Sequence, residues 1–168
     1  TAPSVEYEVV THLGEVLKVD SPAELPDEGL IAEVREPWMN IEIITPTDYY
    51  GPIMELVTKR RGIYKQQEYP AQHRVQLDFE IPLSEIIIGF FDELKSRTKG
   101  YASLDYQFLE YRVDELQKLE ILVNGEPLDA LAAIVHKKDA FHKGQRLITK
   151  LKDLIPRQLY DVAVQASA

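Results

Sequence analysis

Between Asn40 and Val113 the chain writes one pattern twice: an alternating strand, a proline, an amphipathic helix ending in cations, a glycine and another strand. The first copy reads IEIITP, TDYYGPIMELVTKRRG and IYKQQEY. The second reads VQLDFEIP, LSEIIIGFFDELKSRTKG and YASLDYQFLEY. Ile41 and Ile43, then Val75, Leu77 and Phe79, alternate with polar neighbours at the period of half-buried strands. Tyr50, Ile53, Met54 and Val57 share one helical face, and Leu83, Ile87, Phe90, Phe91 and Leu94 share another, widened by Ile86 and Ile88. Pro46 and Pro82 stand at the helix entrances, where a missing amide proton does no harm. Gly62 and Gly100 follow the cations, where a left-handed residue ends a helix.

Two such halves predict a ferredoxin-like βαββαβ sandwich over 37–113, an α+β class. A partial ββαβ domain is expected over 114–168. Leu119, Ile121 and Val123 alternate into Asn124-Gly125, a strong hairpin signal, and a strand returns through Leu131, Ala133 and Val135. A helix from about Asp139 to Ile155 follows, Pro156 ends it, and Tyr160, Val162 and Val164 begin a last strand. Residues 1–36 read as the end of a preceding domain, a two-stranded ribbon, plus the linker SPAELPDEG. A ribbon of that size is marginal alone, so docking on a neighbour is expected. The absence of a closing element after the last strand, and a start at Thr1 rather than Met, suggest a piece of something longer.

The net charge of −9 argues against nucleic acid until its distribution is followed. Residues 1–36 hold nine acids against Lys18 and Arg35, a net of −7; residues 37–113 are at −2 and residues 114–168 at zero. The acidity is an N-terminal property. Zero cysteines exclude disulfides, and no apolar run approaches the roughly 20 residues of a membrane span.

No G-x-x-x-x-G-K-[ST] loop is present, so no phosphate cradle of that kind forms. His136 and His142 read as surface histidines rather than metal ligands, Asp92 and Glu93 point apart on their helix, and Ser84 and Ser103 lack a histidine partner. Catalytic, cofactor-binding and metal residues are therefore all expected to be none.

What remains is cations. Lys59, Arg60 and Arg61 close the first helix; Lys95, Arg97 and Lys99 close the second. Positive charge at a helix C-terminus offsets the helix dipole, by about 0.3–1 kcal/mol each when exposed. The functional alternative is phosphate contact, which makes binding salt-sensitive. The two helices of this plan run antiparallel, so two separate anchor points are expected rather than one basic face. Lys137, Lys138 and Lys143 gather at the entrance of the last helix, where the dipole disfavours them, and Arg157 follows that helix. Tyr49, Tyr50, Tyr64, Tyr69, Tyr101, Tyr106 and Tyr111 are candidates for stacking on bases, with strand packing as the plainer role.

Several phrases resemble a known family. EPWMNIEIITPTDYYGPIMELVTKRRG and IPLSEIIIGFFDELKSRTKGYASLDYQF resemble domain V of the translational GTPases, the C-terminal module of elongation factor G. VNGEPLDALAAIVHKKDAFHKGQRLITKLKDLIPRQLYDVAVQAS resembles the opening of the C-terminal domain of the LepA (elongation factor 4) family, and TAPSVEYEVV the last strand of domain III there. The resemblance implies a cytoplasmic translation factor, a ribosome-dependent GTP hydrolase linked to back-translocation, stalled-ribosome rescue and ribosome assembly. It implies as partners the ribosome and its RNA, the acceptor end of tRNA, the remainder of the same polypeptide, and peripheral association with the inner face of the membrane. GTP and Mg would be held in a G domain that this sequence lacks, so the chain itself is expected to be non-catalytic. The alternative from another class is a regulatory or protein-interaction module that dimerises or binds a small effector.

Overall fold

Strand β1 (Tyr7–Thr11) leads through a tight turn into β2 (Val16–Val19), and a long β3 follows (Ile31–Pro46). Then come α1 (Tyr50–Lys59), β4 (Ile63–Ala71), β5 (Arg74–Pro82), α2 (Leu83–Ile86), α3 (Phe90–Arg97) and β6 (Ser103–Val113). The chain continues with β7 (Leu116–Val123), β8 (Glu126–Pro127), β9 (Ala133–His136), α4 (Lys137–Leu154) and β10 (Val164–Ser167). The structure is a computed structural model and describes residues 5–127, 132–154 and 164–167. Two compact units emerge, one of Glu36–Arg112 with Val5, the other of Glu6–Arg35 with the described residues from Val113 onward.

In the first unit β5 pairs antiparallel with β3 on one side and with β4 on the other, and β6 pairs with β3. The order β4-β5-β3-β6 is the ferredoxin-like arrangement expected from the repeated halves. Strand alternation sends Ile41, Ile43, Val75, Leu77 and Phe79 to one face, where Ile53, Leu56 and Val57 of α1 and Phe90 and Leu94 of α3 cover them. Each such side chain, fully buried, contributes roughly 1.5–3 kcal/mol.

The second helix differs from expectation. Instead of one helix from Leu83, the chain turns at Gly89, whose φ is +68°, and α3 restarts at Phe90. Ile86 stays buried, but Ile88 and Phe91 point outward at 66% and 41% exposure, so IIIGFF is not a continuous core stripe.

The helix ends also differ in detail. At the end of α1 the left-handed residue is Arg61 (φ +64°), not Gly62. Gly62 is required for space: its N–H reaches Val57 O at 2.8 Å, and a Cβ there would lie 2.2 Å from Val57 Cγ1. At the end of α3 Lys99 (φ +52°) and Gly100 (φ +81°) are both left-handed, and Gly100 N–H closes on Lys95 O at 2.8 Å.

In the second unit β7 lies between β8 and β10 and also pairs antiparallel with β9, with Leu119, Val135 and Ala140 in its core. Asn124 and Gly125 both take positive φ, as the hairpin signal requires. The N-terminal ribbon belongs here too: β1 pairs with β2 and with Ile31–Arg35 of β3. Leu131, Ile155, Tyr160 and Val162 lie outside the described residues. Among the described residues no helix is long and apolar enough to cross a membrane.

Candidate nucleic-acid interface

The antiparallel helices place the end of α1 beside the break between α2 and α3. Breaking a helix leaves carbonyl oxygens without intrahelical donors, and Arg60 takes two of them. Its Nη1 donates to Glu85 O at 2.7 Å and Ile88 O at 2.5 Å, and its Nη2 donates to Glu93 Oε1 at 2.8 Å. The guanidinium also lies 5.7 Å from the Phe90 ring centre. Arg61 donates to both carboxylate oxygens of Glu36, at 2.7 and 3.1 Å, and to Glu85 Oε1 at 3.3 Å. Burial alone would make the Arg61 guanidinium easier to deprotonate, but the hydrogen bonds and charges of Glu36 and Glu85 outweigh it and hold the proton more firmly.

Arg60 and Arg61 are therefore held as internal ties, their donors engaged by carboxylates and carbonyl oxygens of the same unit. The reason is tertiary. Glu36, Glu85 and Glu93 come from distant positions in the chain and converge on the helix end. Lys59 remains exposed, without an ion pair among the described residues.

At the opposite end, where α3 finishes, Arg97 is also drawn inward. It donates to Pro52 O at 3.4 Å and sits 3.8 Å from both Glu55 and Glu93. Its partners lie on the first half of α1 and one turn back on α3, so Arg97 too is drawn toward groups of its own unit. Glu93, shared between Arg60 and Arg97, is held below the usual carboxylate range, first by the hydrogen bond from Arg60, which together with the nearby positive charges outweighs desolvation by burial.

Lys95 and Lys99 stay exposed. They have neighbours that the helix pattern alone does not associate with them. Arg74, the first residue of β5, stands opposite Pro46 in the strand register, and Thr47 N–H donates to His73 O at 3.0 Å. Two residues on, Tyr49 stacks on Tyr101, ring centres 6.3 Å apart and planes at 23°. The hairpin tip, the α1 entrance and the α3 exit thus share one end of the unit. Arg74 was missed as a candidate because a lone cation at a strand start carries no periodic signal.

In the second unit Lys137 and Lys138 are exposed at the start of α4, and Lys143 is half-buried. His136 is buried rather than at the surface. Its Nε2 lies 2.9 Å from Asp114 Oδ1, and its Nδ1 accepts from Lys138 N–H at 3.1 Å. Lys137 N–H donates to Glu115 O at 2.8 Å. The first amides of α4 are thus already engaged. Arg157 lies outside the described residues. Among the described residues no group of three or more metal-ligating side chains converges.

Comparison with known proteins joins this geometry to the sequence resemblance. Residues 33–122 match the family model "Elongation factor G C-terminus", and residues 123–168 match "GTP-binding protein LepA C-terminus". Relatives named elongation factor 4 are 50% identical in Lawsonia intracellularis and in Thermosynechococcus vestitus, each over 167 residues, and 53% in Acetivibrio thermocellus over 166 residues. Each alignment covers 99% of this chain but 28% of the relative, so the chain spans little more than a quarter of the length of these curated relatives. With the first match covering over half its residues and the second following directly, the chain belongs to the elongation factor G C-terminal family, in its LepA (elongation factor 4) form.

Proposed function

We propose that this chain is the non-catalytic, ribosome-docking part of a ribosome-dependent GTP hydrolase that acts on translating or assembling ribosomes. The observation that supports it is the uninterrupted order of the two family matches at about half identity across the chain. Nucleotide and Mg2+ would be bound by another part of the polypeptide, and this part would set where that machinery sits against ribosomal RNA and the tRNA acceptor end. The ferredoxin-like unit suits such a task. Its helices are tied to each other and to β3 through Glu36, Arg61, Glu85, Arg60 and Glu93, which makes a stiff body that transmits position rather than changing shape.

The test compares the intact polypeptide with one lacking residues 33–168. GTP hydrolysis should persist without ribosomes in both, while stimulation by ribosomes and co-sedimentation with them should be lost in the shortened form. A shortened form that still sediments with ribosomes and is still stimulated would end the proposal. A stable dimer without affinity for ribosomes would favour the regulatory module instead.

A further inference from the structure

We infer that a groove within the second unit, between the β7–β9 sheet face and residues 25–34, holds an extended cationic segment of a protein on the ribosome. This rests on the ribosome-docking reading and adds to it a protein partner, at a surface where RNA is disfavoured.

Strand alternation makes the floor of the groove. Leu119 and Val135 turn to the core with Ala140 of α4. Their neighbours in register, Lys118 opposite Ile134 and Glu120 opposite Ser167, therefore take the other face. Residues 25–28 and 31–34 line the groove as well, and the space is about 710 Å³. That lies within the roughly 300–1,000 Å³ of binding clefts. Leu25, Ile31, Leu116 and Ile134 are half-buried along it, and Val113, which also lines it, is 60% exposed. The groove thus offers apolar surface to an occupant.

Its charge says which occupant. Six carboxylates line it against Lys118 and Lys137. Three of the six are engaged: Glu33 by Arg35, Asp114 by His136 and Glu120 by Lys118. Asp27, Glu28 and Glu115 are exposed and have no ion pair among the described residues, against one such lysine, Lys137. Asp27 stands just before the short turn Glu28–Leu30, where a carboxylate ordinarily caps, yet its side chain makes no capping hydrogen bond.

This excess negative charge repels a phosphate backbone. A bound metal is not the alternative, since no three metal-ligating groups converge among the described residues. Carboxylates spread along an apolar groove match a chain that alternates lysine or arginine with apolar side chains. In extended form such a chain sends its apolar residues to the floor and its cations to the acids. The stems of those cations add apolar contact of their own.

The test measures binding of the intact polypeptide to purified ribosomes. The triple variant Asp27→Asn/Glu28→Gln/Glu115→Gln should bind about tenfold more weakly at low salt, with the difference shrinking as potassium chloride is raised. Its denaturant unfolding should match wild type, because all three side chains are exposed. A photoreactive side chain at position 32, an exposed alanine lining the groove, should attach to a ribosomal protein within a segment rich in lysine and arginine. A synthetic peptide of alternating lysine and leucine should compete with that attachment, and one of alternating glutamate and leucine should not. Tighter binding by the triple variant, or attachment to ribosomal RNA, would overturn the inference, because acids beside phosphate are repulsive. Attachment only to another part of the same polypeptide or to a second copy of it would overturn the partner. Unchanged affinity with no attachment would overturn the site and leave ribosome docking standing. A wild-type polypeptide that does not bind ribosomes would instead remove the docking reading beneath it.

Discussion

Arg61 grips Glu36 with two hydrogen bonds, 2.7 and 3.1 Å long, from a left-handed backbone position, and Glu36 is only 1% exposed. An unpartnered carboxylate so deeply placed would be strongly destabilising. The pair thus fixes how α1 ends against β3, and it explains a non-glycine residue at a φ that ordinarily costs about 1–2 kcal/mol.

Arg61→Met should destabilise the first unit by about 3 kcal/mol, because it strands Glu36. Adding Glu36→Leu should recover most of that loss. Denaturant titration of the single and double variants checks it, and ribosome binding at fixed salt should be unchanged in the folded double variant.

Lys99→Gly replaces a lysine held at φ +52° by the residue that tolerates that backbone. Stability should rise by about 1 kcal/mol. Affinity for ribosomes should fall through loss of a cation. A variant that is more stable yet binds less separates the two roles of this position.

Thr45 is fully buried, and its hydroxyl has no hydrogen-bond partner among the described residues. Thr45→Val keeps the shape and removes the unsatisfied group. A gain of about 1 kcal/mol in thermal or denaturant unfolding is expected. Gly62→Ala should do the opposite, losing about 2 kcal/mol, since the added methyl would overlap Val57.

Acid should loosen the helix pair through Glu93. Its carboxyl is depressed when folded, so its contribution is present above the ordinary carboxylate range and disappears as pH falls through the lower folded value. Because Glu93 is half exposed, the effect is small, about 0.5 kcal/mol. Glu93→Gln should remove that part of the acid sensitivity, seen as a flatter stability profile below pH of about 5.

The paired strand–helix–strand pattern was legible because it rests on local rules. Ile41, Ile43, Val75, Leu77 and Phe79 needed only a period of two, Ile53 and Val57 a helical face, and Asn124-Gly125 a turn that tolerates positive φ. The break at Gly89 was harder to see, since apolar residues ran straight through it and an isolated glycine is tolerated in helices. Which cations are free was not legible at all. Arg60 and Lys99 look alike as basic residues after a helix, and only the positions of Glu85, Glu93 and the freed carbonyl oxygens distinguish them.

By itself, then, the order of residues determined the class, the ferredoxin-like unit and the family, because periodicity, turn chemistry and sequence likeness are all written along the chain. The tertiary structure alone decided where charge is left over. Whether an arginine meets a carboxylate or water depends on segments tens of residues apart arriving at the same end of a helix. Arg61 met Glu36; Arg74 and Lys99 met solvent.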